Sequence, residues 1–95
     1  MTMTLGEFIR LFRIKNNYTQ KLLAEELGIP GSDADVCRIE KGTERKLGAL
    51  RARFLVYATT GKYWYARKEI AKSILVHVID LGEFERDYLL RVILF

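Results

Sequence analysis

The 95-residue sequence predicts an all-α fold, a bundle of about five helices, on three observations. Apolar residues recur at intervals of three and four along most of the chain, which is the spacing that gives a helix one buried face. Glycines and the single proline, Pro30, divide the chain into segments of helix length. Nearly half of the residues are hydrophobic and the charged share is ordinary, which is typical of a globular chain.

The first helix is expected to begin after Thr4. Thr4 and Glu7 have the spacing of a capping box, in which each side chain accepts a hydrogen bond from the other residue's backbone amide. The helix ends at Asn16 and Asn17, since asparagine tolerates the left-handed conformation common at helix C-termini. Its apolar stripe is expected to consist of Leu5, Phe8, Ile9 and Phe12, with Leu11 left open as a further member.

Two shorter helices are expected next. Thr19 caps the second helix and Gly28 ends it. After a tight turn, Ser32 caps a third helix, which Gly42 stops. The buried stripe of the second helix is expected to consist of Leu22, Leu23, Ala24 and Leu27.

The second half of the chain predicts a fourth helix over about 45–60 and a fifth over about 63–81, separated by Gly61. The apolar residues of 83–95 have helical spacing, whereas the run 91–95 is β-branched and aromatic enough for a short strand, so both structures stay open.

Six short motifs follow one another between residues 4 and 45. They are Ile9-Arg10, Arg13, Thr19-Gln20, Leu23-Ala24, Leu27-Gly28-Ile29 and Arg38-Ile39-Glu40-Lys41-Gly42. Their order and register resemble the lambda-repressor/Cro-like (XRE-type) helix-turn-helix family, over somewhat under half of the chain. The resemblance implies a helix-turn-helix DNA-binding region in residues 1–60, whose third helix enters the major groove.

The resemblance also implies roles for single residues. Gln20 would hold a phosphate, and Arg13 would pair with Glu40 to join helix one to helix three. Pro30 and Gly31 depart from the family by lengthening the turn before helix three. The residues that we assign to DNA binding are Gln20, Lys21, Ser32, Asp33, Ala34, Cys37, Arg38, Lys41, Arg45 and Lys46.

The third helix opens with Asp33 and Asp35, which is unexpected on a surface meant for a polyanion. Carboxylates in a first turn complement the helix dipole, by about 0.3–1 kcal/mol each. Asp can instead accept a hydrogen bond from cytosine, or the helix does not face DNA. We interpret Asp35 first as a capping group and leave capping and readout equally open for Asp33. Arg38 is expected to bind guanine, and the alternative is a surface salt bridge with Asp35 or with a Glu at helical spacing.

Residues 61–95 are predicted to be a C-terminal dimerisation segment, packed with residues 1–60 into one compact domain. The stretch 74–81 is hydrophobic nearly all round, which indicates burial on more than one side. Family members bind pseudo-palindromic sites as two-fold dimers, so the resemblance implies a homodimer. The alternative is one enlarged monomeric core. The expected interface residues are Tyr63, Trp64, Ile74, Val78, Tyr88, Val92 and Phe95.

Charge and composition bound the function. Residues 1–60 hold ten basic and seven acidic residues, residues 61–72 four and one, and residues 73–95 two and four. This balance permits a nucleic-acid partner without requiring one. The lone cysteine Cys37 and the isolated His77 form no metal-ligand pattern, and no catalytic set or cofactor motif is recognised. No secretory signal or membrane-length apolar run is found, so a cytoplasmic protein is expected.

The sequence therefore predicts a cytoplasmic transcriptional regulator without catalytic activity. It would be a repressor of the phage or mobile-element type that binds double-stranded operator DNA as a homodimer. The alternative is an antitoxin-like or other protein-interaction module, whose C-terminal half binds a protein partner.

Overall fold

The structure, a computed structural model, describes residues 2–42 and 48–95. Over these residues the chain forms six α-helices, one 3-10 helix and no strand longer than a single bridge. The all-α prediction is confirmed, with one helix more than expected, and 83–95 is helical. The helices are α1 Leu5–Lys15, α2 Gln20–Glu26, α3 Asp33–Lys41, α4 Gly48–Thr59, the 3-10 helix Gly61–Ala66, α5 Arg67–His77 and α6 Glu83–Leu94.

The expected ends of α1 and α2 are confirmed. The amide of Glu7 donates to the Thr4 hydroxyl at 3.1 Å, and the Thr4 amide donates to the Glu7 carboxylate at 3.2 Å. Asn17 then turns the chain with a φ of 61°. At the next helix the Thr19 hydroxyl accepts the amide of Leu22 at 3.0 Å. Local sequence signals thus fix how the first two helices begin and where the first one ends.

One core is shared by all the helices. Its fully buried large side chains include Leu5, Ile9, Leu23, Val36, Phe54, Leu55, Ile74 and Leu89. Leu22, expected in this core, is instead 39% exposed. The inner side of the short helix α2 is occupied by Leu23 and Leu27, four residues apart, and Leu22 points away from it.

Helix α1 lies unusually close to α3 at Gly6. A β-carbon added at Gly6 would lie 1.8 Å from the carbonyl oxygen of Ile39, well inside van der Waals contact. Gly6 is therefore not a helix breaker. It lets the two backbones approach each other, although glycine inside a helix is less favourable than alanine.

The predicted fifth helix is divided, and it ends earlier than expected. A 3-10 helix buries Tyr63, and α5 begins only at Arg67. At the other end Val78 is extended, because Met3 pairs with this segment: its amide donates to the His77 carbonyl at 2.8 Å, and its carbonyl accepts the Ile79 amide at 2.9 Å. The β-branched residues after His77 suit this extended backbone.

A tyrosine cluster, Tyr18, Tyr57 and Tyr63, joins the 3-10 helix to the first half of the chain. The Tyr18 hydroxyl lies 2.9 Å from both other hydroxyls, and the ammonium of Lys62 donates to it at 2.8 Å. Tyr57 donates to the carboxylate of Glu26. Burial raises the pKa of Tyr18, but hydrogen bonds from Lys62 and the other tyrosines outweigh it, so the pKa lies below its ordinary value.

An ion-pair cluster around Arg51 makes a second connection between distant parts of the chain. The Arg51 guanidinium donates to both oxygens of Glu85 at 2.8 Å, and to Asp80 at 3.2 Å. The other Asp80 oxygen accepts the amide of Leu5 at 2.7 Å, at the start of α1. These contacts join α1, α4 and α6 through the loop before α6.

Candidate nucleic-acid interface

Helix α3, the predicted recognition helix, has two distinct faces. Its inner face packs on α1 and α2, and its outer face is open to solvent. The inner face consists of the buried residues Val36, Ile39 and Glu40. The outer face consists of the exposed residues Asp33, Ala34, Arg38 and Lys41, all of which were assigned to DNA binding.

The inner face carries a buried ion pair. The Arg13 Nε donates to one oxygen of Glu40 at 2.8 Å, and Nη2 donates to the other at 2.9 Å. The Glu40 side chain is only 3% exposed and that of Arg13 15%. The hydrogen bond to Glu40 outweighs burial and raises the pKa of Arg13. The predicted contact between helix one and helix three is confirmed, and its bidentate geometry fixes orientation as well as distance.

Gln20 contacts the same carboxylate. Its side-chain amide donates to the Glu40 oxygen at 3.3 Å, which directs it toward α3 from the start of α2. The resemblance suggested only a phosphate contact for Gln20, so this second role was missed. The next residue, Lys21, is exposed. Arg13, Glu40 and Gln20 therefore set the relative positions of α1, α2 and α3.

The acidic first turn of α3 has a specific contact. The Arg38 Nη1 donates to the Asp35 carboxylate at 2.7 Å, so the salt bridge considered as the alternative for Arg38 is present. Both side chains are well exposed, at 54% and 39%. Ser32 occupies the cap position, but its side chain makes no capping hydrogen bond. Asp33 is exposed in the first turn, where the helix dipole favours a carboxylate.

The remaining residues assigned to DNA binding are less informative. Cys37 is half-buried between the two faces of α3. Arg45 and Lys46 lie outside the described residues.

The expected dimer residues divide into two groups. Tyr63, Ile74 and Val78 are buried inside the chain itself, so they offer no surface to a partner and belong to the monomeric core proposed as the alternative. Tyr88 is partly buried and its hydroxyl lies 2.7 Å from that of Thr59. The others are Val92, which is partly buried, Trp64, which is exposed and stacked by Arg67, and Phe95, which is exposed.

Other kinds of site find little support in the described part of the chain. It contains no group of three or more His, Cys, Asp or Glu residues that could hold a metal ion. None of its helices has the length and apolarity needed to cross a membrane. An open groove of about 530 Å³, lined mainly by apolar side chains, lies between α1 and α5.

Comparison of the chain with models of known protein families, with curated proteins and with solved structures gives no match.

Proposed function

We propose that this protein is a sequence-specific double-stranded DNA-binding regulator, in which the outer face of α3 contacts the major groove. The observation that carries the proposal is the Arg13–Glu40 pair, extended by Gln20. These three side chains hold the inner face of α3 in a defined orientation. A recognition helix needs such a rigid support, because base contacts tolerate only small errors of position.

The chemistry of the outer face supports the proposal. Arg38 presents a guanidinium that can grip guanine through two parallel hydrogen bonds. Lys41 and Lys21 are exposed cations that can contact phosphates, which adds affinity without sequence preference. Asp35 offsets part of this positive charge, but its carboxylate accepts a hydrogen bond from Arg38 and can hold that guanidinium in place.

The test is a fluorescence-anisotropy titration at two salt concentrations. It compares the duplex upstream of the protein's own gene with a scrambled duplex of equal composition. We expect selective binding whose affinity falls with salt, with a log–log slope of about −0.9 per phosphate contact. Equal weak binding to both duplexes, lost at the higher salt, would reject the proposal and leave only a generic charge effect.

Two variants refine the assignment. Arg38→Ala should relax base preference at one position, whereas Lys41→Ala should weaken binding to every sequence alike. Lys72→Ala, which removes one exposed charge on α5, is the matched control and should change neither. If Arg38→Ala left both affinity and preference intact, α3 would not read the sequence through this residue.

A protein-interaction module is the second candidate. It is favoured by the exposed apolar side chains of the C-terminal part, which include Val76, Ile79, Phe84, Leu94 and Phe95. Large exposed apolar patches mark protein–protein interaction sites, and these side chains are candidates for such a patch. An antitoxin-like protein would combine this surface with the same DNA-binding half.

A further inference from the structure

The outward side of α6 carries two large apolar residues and a pair of opposite charges. Phe84, Asp87, Arg91 and Leu94 are separated by three, four and three residues, so they lie on one face of this 12-residue helix. We call these four residues the α6 stripe. It lies opposite Leu89, which is fully buried against the core. The inward side of α6 thus packs on the core, and the α6 stripe faces solvent.

The α6 stripe is strongly exposed. Phe84 is 90% exposed and Leu94 is 72% exposed, while Asp87 and Arg91 are also at the surface. Isolated apolar residues on a surface are ordinary, but here two of them bracket a pair of charges at both ends of one short helix.

The pattern is self-complementary when two copies of α6 run antiparallel. Residues equally distant from Leu89 then face each other, which brings Phe84 opposite Leu94 of the second copy and Asp87 opposite Arg91 of the second copy. A two-fold axis repeats each contact, because residue i meets j and j meets i in an isologous interface. The interface therefore contains two contacts between Phe84 and Leu94 and two ion pairs between Asp87 and Arg91.

Asp87 and Arg91 have the spacing for an ion pair within their own helix, with the acid placed favourably before the base. Among the ion pairs of residues 2–42 and 48–95, however, neither of the two takes part. Their charges are thus available to another molecule. A partner with the reverse order of charges fits them, and an antiparallel second copy has that order.

We infer that α6 pairs antiparallel with α6 of a second copy of this chain, through Phe84, Asp87, Arg91 and Leu94. This pairing concerns the chain without DNA, so it does not depend on the proposed DNA binding. It also replaces the buried residues Tyr63, Ile74 and Val78, which cannot reach a partner.

The experiment is sedimentation equilibrium of the full chain over a concentration series, without DNA. The wild type should dimerise, and Asp87→Arg or Arg91→Asp should each weaken the dimer at least about tenfold. In either variant positions 87 and 91 carry the same charge, so both contacts between them become repulsive. The double variant Asp87→Arg/Arg91→Asp should recover the dimer. Lys72→Glu, a charge reversal on α5, is the control and should dimerise as the wild type does.

Mixing the two single variants gives the sharpest readout. One copy then has two basic residues and the other two acidic ones, so a heterodimer should form although each variant alone is weak. A wild type that stays monomeric, or a dimer that both reversals leave unchanged, would overturn the inference. Neither result would decide DNA binding, which the anisotropy titration measures separately. Thermal unfolding of each variant checks that the substitutions at these exposed positions leave the fold intact.

Discussion

Helix α3 carries one ion pair on each side, and the two pairs have opposite surroundings. On the inner side Glu40 is almost completely buried, Arg13 is mostly buried, and the two share two hydrogen bonds. On the outer side Arg38 and Asp35 are largely exposed and share one. The same chemistry thus lies inside the fold on one side and at the surface on the other. Burial, rather than distance, separates the two roles.

The Arg51–Glu85 pair lies between these extremes. Its side chains are 19% and 16% exposed, so it is less buried than the Arg13–Glu40 pair and much more buried than the outer one. Removing one partner of a buried pair leaves an uncompensated charge, whereas an exposed charge is solvated by water. Breaking a pair should therefore lower the free energy of unfolding more, the more deeply the pair is buried.

The largest expected effect comes from the contact between the two backbones. Gly6→Ala places a β-carbon against the Ile39 carbonyl, so α1 and α3 must separate and the Arg13–Glu40 pair must be distorted. We expect a loss of about 4 kcal/mol or more in the free energy of unfolding, which is close to the total for a marginally stable domain. Urea unfolding followed by circular dichroism measures it.

Gly48→Ala is the matched control for that substitution. A β-carbon at Gly48 meets no atom of residues 2–42 and 48–95 within 4 Å, so the variant should be neutral or slightly more stable. Equal stability of the two alanine variants would refute the close approach of α1 and α3.

The next effect concerns the buried pair itself. Glu40→Gln keeps the shape of the side chain but leaves the Arg13 charge buried without its carboxylate. We expect a loss of about 3 kcal/mol in the free energy of unfolding. Urea unfolding measures this loss as well. If Glu40→Gln lowered the free energy of unfolding less than Asp35→Asn, a variant of the exposed pair, the ranking by burial would be contradicted.

The intermediate pair should give an effect that depends on pH. Hydrogen bonds from Arg51 outweigh burial and lower the pKa of Glu85 below its ordinary value of 4.5. A lowered pKa means that the pair stabilises the fold above about pH 4.5, and that this contribution is lost as the pH falls through the folded-state pKa. Arg51→Met should cost about 2 kcal/mol near neutral pH, and the difference from the wild type should shrink on acidification.

Unfolding curves between pH 3 and pH 7 test this dependence. Arg86→Met removes an exposed arginine from α6 and is the control, so its difference from the wild type should be small at every pH. A wild-type advantage over Arg51→Met that grew on acidification would show that the sign is wrong.

The smallest effect on stability is expected on the outer face. Asp35→Asn makes the same change from carboxylate to amide as Glu40→Gln, but at an exposed position. It should change the free energy of unfolding by no more than about 0.5 kcal/mol. A loss as large as that of Glu40→Gln would contradict the ranking of the ion pairs by burial.

The sequence predicted the features of this fold that depend on neighbouring residues. The capping box at Thr4, the turn at Asn17 and the cap at Thr19 are set by short-range hydrogen bonds, which leave clear local signals. The Arg13–Glu40 pair is long-range, and it was predicted only because the motifs resemble a known family.

The features that the sequence did not predict depend on which parts of the chain meet in space. Nothing near Gly6 indicates that the carbonyl of Ile39 lies against it. The extended backbone at Val78 follows from pairing with Met3, and Ile74 is buried in the core of the chain itself rather than against a partner. For the same reason apolar periodicity alone could not separate core residues from interface residues in 63–95.

The most direct test of the outer face of α3 as the DNA-binding surface is amide chemical-shift mapping. The ¹⁵N-labelled chain is titrated with the duplex upstream of its own gene and, separately, with the scrambled duplex. We expect the upstream duplex to shift the amides of 19–21 and 32–41 most, and the scrambled duplex to reproduce only a small part of these shifts at higher salt. Shifts confined to α5 and α6, or identical shifts with both duplexes, would contradict this expectation.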